Sequence, residues 1–97
     1  MVGSTCSMLS YTGYTAYAPT KYAVKGLADG LRTELQRNNI QVGCIYPPNM
    51  DTPCLKKENE TKPEEGLFIE KNLESLFPPS LIASRAIRHI KRVCYSE

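Results

Sequence analysis

One helix-to-strand step, with nothing beside it, limits what this chain can fold into. Residues 16–37 read as a helix, with Tyr17, Thr20, Val24, Leu27, Ala28, Leu31 and Leu35 on one face. Pro19 falls in the first turn, where its missing N–H costs nothing. Asn38 and Asn39 suit the helix end. Ile40 to Tyr46 then alternates as a strand, with Ile40, Val42, Cys44 and Tyr46 on one side and Ile45 on the other. Pro47-Pro48 stops it. A helix running into an apolar strand is a connection of a parallel sheet. Parallel strands are buried on both faces and need neighbours. The expected fold class is therefore α/β, with this step as part of a parallel sheet.

Composition excludes several other classes. The 97 residues carry 12 Lys and Arg against 10 Asp and Glu, a net charge of +2. That is too balanced for a nucleic-acid surface, and no nucleic-acid partner is expected. No apolar run is long enough for a membrane span, and the first residues lack the pattern of a signal peptide. Cys6, Cys44, Cys54 and Cys94 include no pair at C-x-x-C spacing, so no metal site is expected and free thiols are the default.

Beyond the strand, residues 49–66 read as a polar, mobile loop and Leu67–Leu76 as a short helix. Pro78-Pro79 break that helix, and Ser80 is the expected N-cap of a last one. Leu81, Ala83, Ala86, Ile87, Ile90, Val93 and Cys94 form its expected apolar stripe. Arg85, Arg88, Lys91 and Arg92 make this end basic, which reads first as a solvated face, with a partner or an anionic membrane surface as the sharper alternative. His89 is the single histidine and reads as a surface residue.

The residues that carry chemistry lie earlier. Tyr17 and Lys21 are four apart and stand one above the other on the helix. A phenol is a poor acid near neutral pH, and an ammonium one turn away favours the phenolate. Such a pair can donate a proton to a carbonyl or take one from an alcohol. Alone, Y-x-x-x-K is common by chance. Here Ser4 stands thirteen residues before Tyr17, at the end of a strand stub, Met1–Gly3. Downstream, the strand runs into Pro47-Pro48-Asn49-Met50-Asp51-Thr52.

This order of Ser, Tyr-x-x-x-Lys, strand and Pro-x-x-x-x-Thr resembles the short-chain dehydrogenase/reductase family over residues 2–52. Tyr14-Thr15-Ala16-Tyr17, Gly26-Leu27-Ala28, Pro47-Pro48 and Glu58-Asn59-Glu60-Thr61-Lys62-Pro63 are similar to its sphingolipid branch, the 3-ketodihydrosphingosine reductases. The resemblance implies a partial Rossmann-like, doubly wound sheet: the C-terminal half, without the nucleotide-binding half. Residues 1–52 would carry the catalytic and nicotinamide-side segment, 53–79 a substrate loop and 80–97 a helix. Ser4, Tyr17 and Lys21 are the implied catalytic residues. Tyr17, Lys21, Pro47, Pro48, Met50 and Thr52 are the implied contacts to the cofactor, NADPH. The implied reaction reduces 3-ketosphinganine, a long-chain keto-lipid, to sphinganine. The implied location is the cytosolic face of the endoplasmic-reticulum membrane, with membrane association expected of a longer form only.

Ser7 stands where glycine is typical of the family, and Pro19 replaces a small residue. No Gly-rich phosphate loop of the T-G-x-x-x-G-x-G type is present, although a dinucleotide pyrophosphate needs one. The expectation is a piece of a domain of roughly 200–250 residues, inactive by itself. Two alternatives stay open: a reductase of a steroid, retinoid or other lipid ketone, and a non-catalytic product that pairs with a full-length relative. The small face of Gly26 and Gly30, with Ala23 beside it, would serve such pairing or a homodimer. Close packing within one subunit is an equal alternative. Tyr11 and Tyr14 read as lining a substrate entrance or as packed loop residues.

Overall fold

The computed structural model describes residues 1–73 and 76–94. The chain forms two compact units, Met1–Pro47 and Pro48–Glu97.

In the first unit an extended stub, Met1–Gly3, leads through a 3₁₀ turn, Thr5–Ser7, and a loop into helix α1, Tyr17–Leu35. The α1 start has no side-chain cap. Instead, the Ala18 N–H donates to the Tyr14 carbonyl at 2.7 Å, and Pro19, in the first turn, has no N–H to satisfy. A 3₁₀ turn, Gln36–Asn38, tightens the other end. Asn39 closes it at φ 56°, ψ 32°, with its N–H on the Gln36 carbonyl at 3.2 Å. This is the left-handed cap that the paired asparagines suggest, since asparagine tolerates this conformation.

The chain then returns beside the stub. Val2 and Ile45 form a parallel bridge. Ile45 donates to the Met1 carbonyl at 3.0 Å, and Gly3 donates to the Ile45 carbonyl at 2.8 Å. The helix α1 thus lies between two parallel extended segments. The expected strand Ile40–Tyr46 is reduced to this bridge, and no longer strand forms among the described residues. The physical reason is the partner: Met1–Gly3 offers three residues to pair with. The Cys44 Sγ–H donates to the Ile45 carbonyl at 3.9 Å, and the neighbouring Cys44 thiol raises the Tyr46 phenol above its usual range. The core of this unit is small: Cys6, Tyr14, Ala18 and Ala28. Of the expected α1 stripe, Ala28 is buried, Val24, Leu31 and Leu35 are half-buried, and Tyr17, Thr20 and Leu27 are exposed.

In the second unit the expected loop over 49–66 is largely helical. Helix α2 runs Pro53–Asn59 and helix α3 Glu64–Leu73. Thr52 caps α2 by accepting from the Leu55 N–H at 3.2 Å, and Pro53 occupies its first turn. Glu64 and Glu65 favour the start of α3, so it begins before Leu67; residues 74–75 of the expected Leu67–Leu76 helix lie outside the described residues. Met50 and Phe77 form a second parallel bridge. Lys62, its side chain only 6% exposed, reaches the Glu58 carboxylate at 3.5 Å.

Helix α4 spans Pro79–Cys94. Proline takes the first helical position, so Ser80 lies inside the helix rather than capping it. At 3.6 residues per turn, Ile82 joins Ala83, Ala86, Ile87, Ile90 and Val93 on the apolar arc, and Leu81 falls among Arg85, Arg88 and Arg92. The Cys94 side chain lies outside the description. Ile87 and Ile90 remain 55% and 56% exposed. Among the described residues no helix is long and apolar enough to cross a membrane.

Two measurements check this architecture. A Cβ at Gly3 would lie 2.9 Å from both Ser7 Oγ and a Tyr46 ring carbon, whereas nothing lies within 4 Å at Gly26 or Gly30. Gly3→Ala is expected to destabilise the chain by about 1–3 kcal/mol through overpacking. Gly26→Ala is expected to stabilise it by about 0.5–1 kcal/mol through helix propensity. Urea midpoints read both.

The second concerns pH. Asp29 pairs with Lys25 and Arg32, each at 2.8 Å, and Arg32 Nε also donates to the Val42 carbonyl at 3.1 Å. The hydrogen bonds from Lys25 and Arg32 hold the Asp29 carboxyl below its usual range, and the bond to Asp29 raises Lys25. A lowered carboxyl contributes above its unfolded value and loses that contribution as pH falls through the folded one. A raised lysine contributes below its unfolded value and loses that contribution as pH rises through the folded one. The stability difference between wild type and Asp29→Asn should therefore be flat from about pH 5 to 9, and shrink towards both extremes. Denaturant midpoints across pH test it.

Candidate active site

Ser4 ends the extended stub and caps the 3₁₀ turn. Its Oγ accepts from the Cys6 N–H at 3.2 Å, and its own N–H donates to Ser7 Oγ at 3.1 Å. These reciprocal bonds form a capping box. A hydroxyl that accepts here keeps its O–H proton to donate elsewhere. Ser7, a departure from the family's glycine, is fully buried and holds the Ser4 backbone. Its signal in the sequence was faint: a serine three residues after a serine, where the motif usually has Glu or Gln.

Tyr17 is the first residue of α1 and is 42% exposed. Lys21, one turn on, places its Nζ 5.5 Å from the Tyr17 ring centroid. That is within the range at which an ammonium is attracted to an aromatic face. The Thr20 hydroxyl donates to the Tyr17 carbonyl at 2.6 Å and ties down the first turn. The Tyr14 ring meets the Tyr17 ring edge to face, with centroids 5.8 Å apart and planes at 65°. Tyr11 meets Tyr14 in the same manner at 6.3 Å and 74°.

Tyr14 is packed rather than open to an entrance. It is only 9% exposed, clustered with Cys6 and Ala18, and Tyr11 packs against the cluster. The 3₁₀ turn carrying Ser4 therefore packs on the start of α1 through Cys6. This places Ser4, Tyr17 and Lys21 on adjoining elements of one unit. Pro47 closes that unit, while Pro48, Met50 and Thr52 open the second. Thr52 uses a lone pair of its hydroxyl to cap α2, and Met50 lies in the bridge to Phe77. His89 is exposed on α4. Among the described residues no group of three or more His, Cys, Asp or Glu could hold a metal ion. Cys6, Cys44 and Cys54 are not in disulfides.

The chain is similar to the 3-ketodihydrosphingosine reductase of Dictyostelium discoideum, 43% identical over 79% of this chain and 23% of that one. It is 39% identical to the Bos taurus protein of the same name, over 90% of this chain and 26% of that one. A 3-dehydrosphinganine reductase of Danio rerio is 44% identical over 72% of this chain and 21% of that one. The chain thus spans about a quarter of the length of these relatives. No solved structure matches it significantly. The short chain dehydrogenase family model matches residues 1–63. That stretch takes in the Ser4 turn, the Tyr17–Lys21 helix start and the segment through Thr52, and the chain belongs to the short-chain dehydrogenase/reductase family, whose domain is Rossmann-like.

Proposed function

We propose that this chain is the C-terminal, catalytic part of an NADPH-dependent reductase that converts 3-ketosphinganine to sphinganine, and that it does not turn over alone. The reading rests on the Tyr17–Lys21 pair at the start of α1, in a chain similar to reductases named for that substrate. Residues 53–79 are the substrate loop in this reading, and the Val2–Ile45 bridge is a parallel pairing that a doubly wound sheet would extend. The location proposed with it is the cytosolic face of the endoplasmic-reticulum membrane.

The donor set suits a nicotinamide cofactor. Lys21 and Tyr17 offer N–H and O–H donors for a ribose, and Thr52 keeps its hydroxyl proton for a carboxamide while its lone pair caps α2. Pro47, Pro48 and Met50 are the remaining cofactor contacts that the family resemblance implies. A bound reduced nicotinamide supplies hydride to the keto carbon. The chain's own residues manage the oxygen. As the carbonyl π pair moves onto oxygen, Tyr17 delivers its hydroxyl proton there and an alcohol results. Ser4 donates a second hydrogen bond to the developing alkoxide. The Lys21 ammonium balances the phenolate left on Tyr17.

A second reading draws on the Gly26 and Gly30 face, where nothing lies within 4 Å of an added Cβ. Here a second copy or a full-length relative packs on α1, and the chain acts without catalysis.

The test is NADPH oxidation with 3-ketosphinganine, by the chain alone and by the chain joined to a nucleotide-binding half encoded upstream. The joined protein should turn over and the chain alone should not. Tyr17→Phe should lower kcat by about 10²–10⁴-fold and change stability by less than about 0.5 kcal/mol, because the residue is exposed. Robust turnover by the chain alone sinks the part-domain reading. Preference for a steroid or retinoid ketone in a substrate panel sinks the lipid assignment.

A further inference from the structure

We propose that Tyr14 is a positioning residue for Tyr17, a role that rests on the reductase reading above. The Tyr14 backbone is held at both ends: its N–H donates to the Tyr11 carbonyl at 3.0 Å, and its carbonyl accepts from the Ala18 N–H at 2.7 Å. Its ring is 9% exposed and sits in the cluster with Cys6 and Ala18. Cys6 belongs to the turn that Ser4 caps, and Ala18 follows Tyr17 on α1. Tyr14 therefore touches the elements that carry both proposed hydroxyl donors.

Its edge-to-face contact with Tyr17 has a defined geometry, 5.8 Å and 65°. Such a pair prefers one relative orientation of its rings. Tyr17 is otherwise 42% exposed, so its χ angles need an external reference. A buried ring on one neighbour and the Lys21 ammonium over its face supply that reference. The ring is what this role requires of Tyr14. Phenylalanine should serve as well, and an aliphatic residue of similar bulk should not.

The test has a structural and a kinetic arm. In the 97-residue chain with ¹³C-labelled tyrosine, the Tyr17 ring signals are assigned by their loss in Tyr17→Phe. Cross-peaks between the Tyr14 and Tyr17 rings are expected in the wild type, and their absence overturns the proposal without any Tyr14 variant having to fold. Tyr14→Phe should leave the Tyr17 ring shifts in place, and Tyr14→Leu should move them towards values of an unstructured tyrosine. In the joined protein, Tyr14→Leu should lower kcat by about 10²-fold through misplacement, with KM for NADPH unchanged, and Tyr14→Phe should restore kcat. Unchanged Tyr17 shifts or unchanged kcat in Tyr14→Leu overturn the proposal. If the wild-type joined protein has no turnover, the reductase reading fails, and the ring signals still decide whether Tyr14 orients Tyr17.

Discussion

The first unit depends on two backbone hydrogen bonds, Gly3 N–H to Ile45 carbonyl and Ile45 N–H to Met1 carbonyl. They bring together segments separated by the whole of α1. They also set how closely the stub can approach: at Gly3 there is no room for a Cβ between Ser7 and Tyr46. Glycine meets that demand because it lacks the atom. From this register follows the position of the next residue, Ser4, whose cap starts the turn that packs on α1. The backbone pairing and the proposed chemistry are thus one residue apart.

The candidate site is supported by groups with no chemical role of their own in it. Ser7 is buried and accepts from the Ser4 N–H. Cys6, Tyr14 and Ala18 form the contact between the turn and the helix. In an unpartnered chain of this size, such a cluster is a small core, and half-buried or exposed apolar residues surround it. Leu27, Ile87 and Ile90 are each more than half exposed. These faces accord with a chain that spans about a quarter of its relatives' length, since the hydrophobic effect rewards covering them.

Local chemistry was legible wherever one or two residues decide it. The asparagine cap, the proline in the first turn of α1 and the Tyr17–Lys21 spacing all follow from single-residue geometry. The Thr52-Pro53 start of α2 was equally local, but the surrounding charge and prolines suggested a loop. At Ser80, proline's preference for the first helical position outweighed the serine cap signal. The strand over Ile40–Tyr46 had the right alternation, yet a ladder needs a partner as long as itself, and Met1–Gly3 is short.

By itself the sequence determined the residue types able to move a proton, their one-turn spacing on a helix, and the family they belong to. Those depend on covalent order and helical period, which need no distant contact. Only the tertiary structure decided that Ser7 holds Ser4, that Tyr14 is buried against Cys6 and edge-on to Tyr17, and that the strand contracts to one bridge. Each of these is a contact between side chains or backbone groups whose partners are chosen by packing, and packing depends on which surfaces meet when the chain folds.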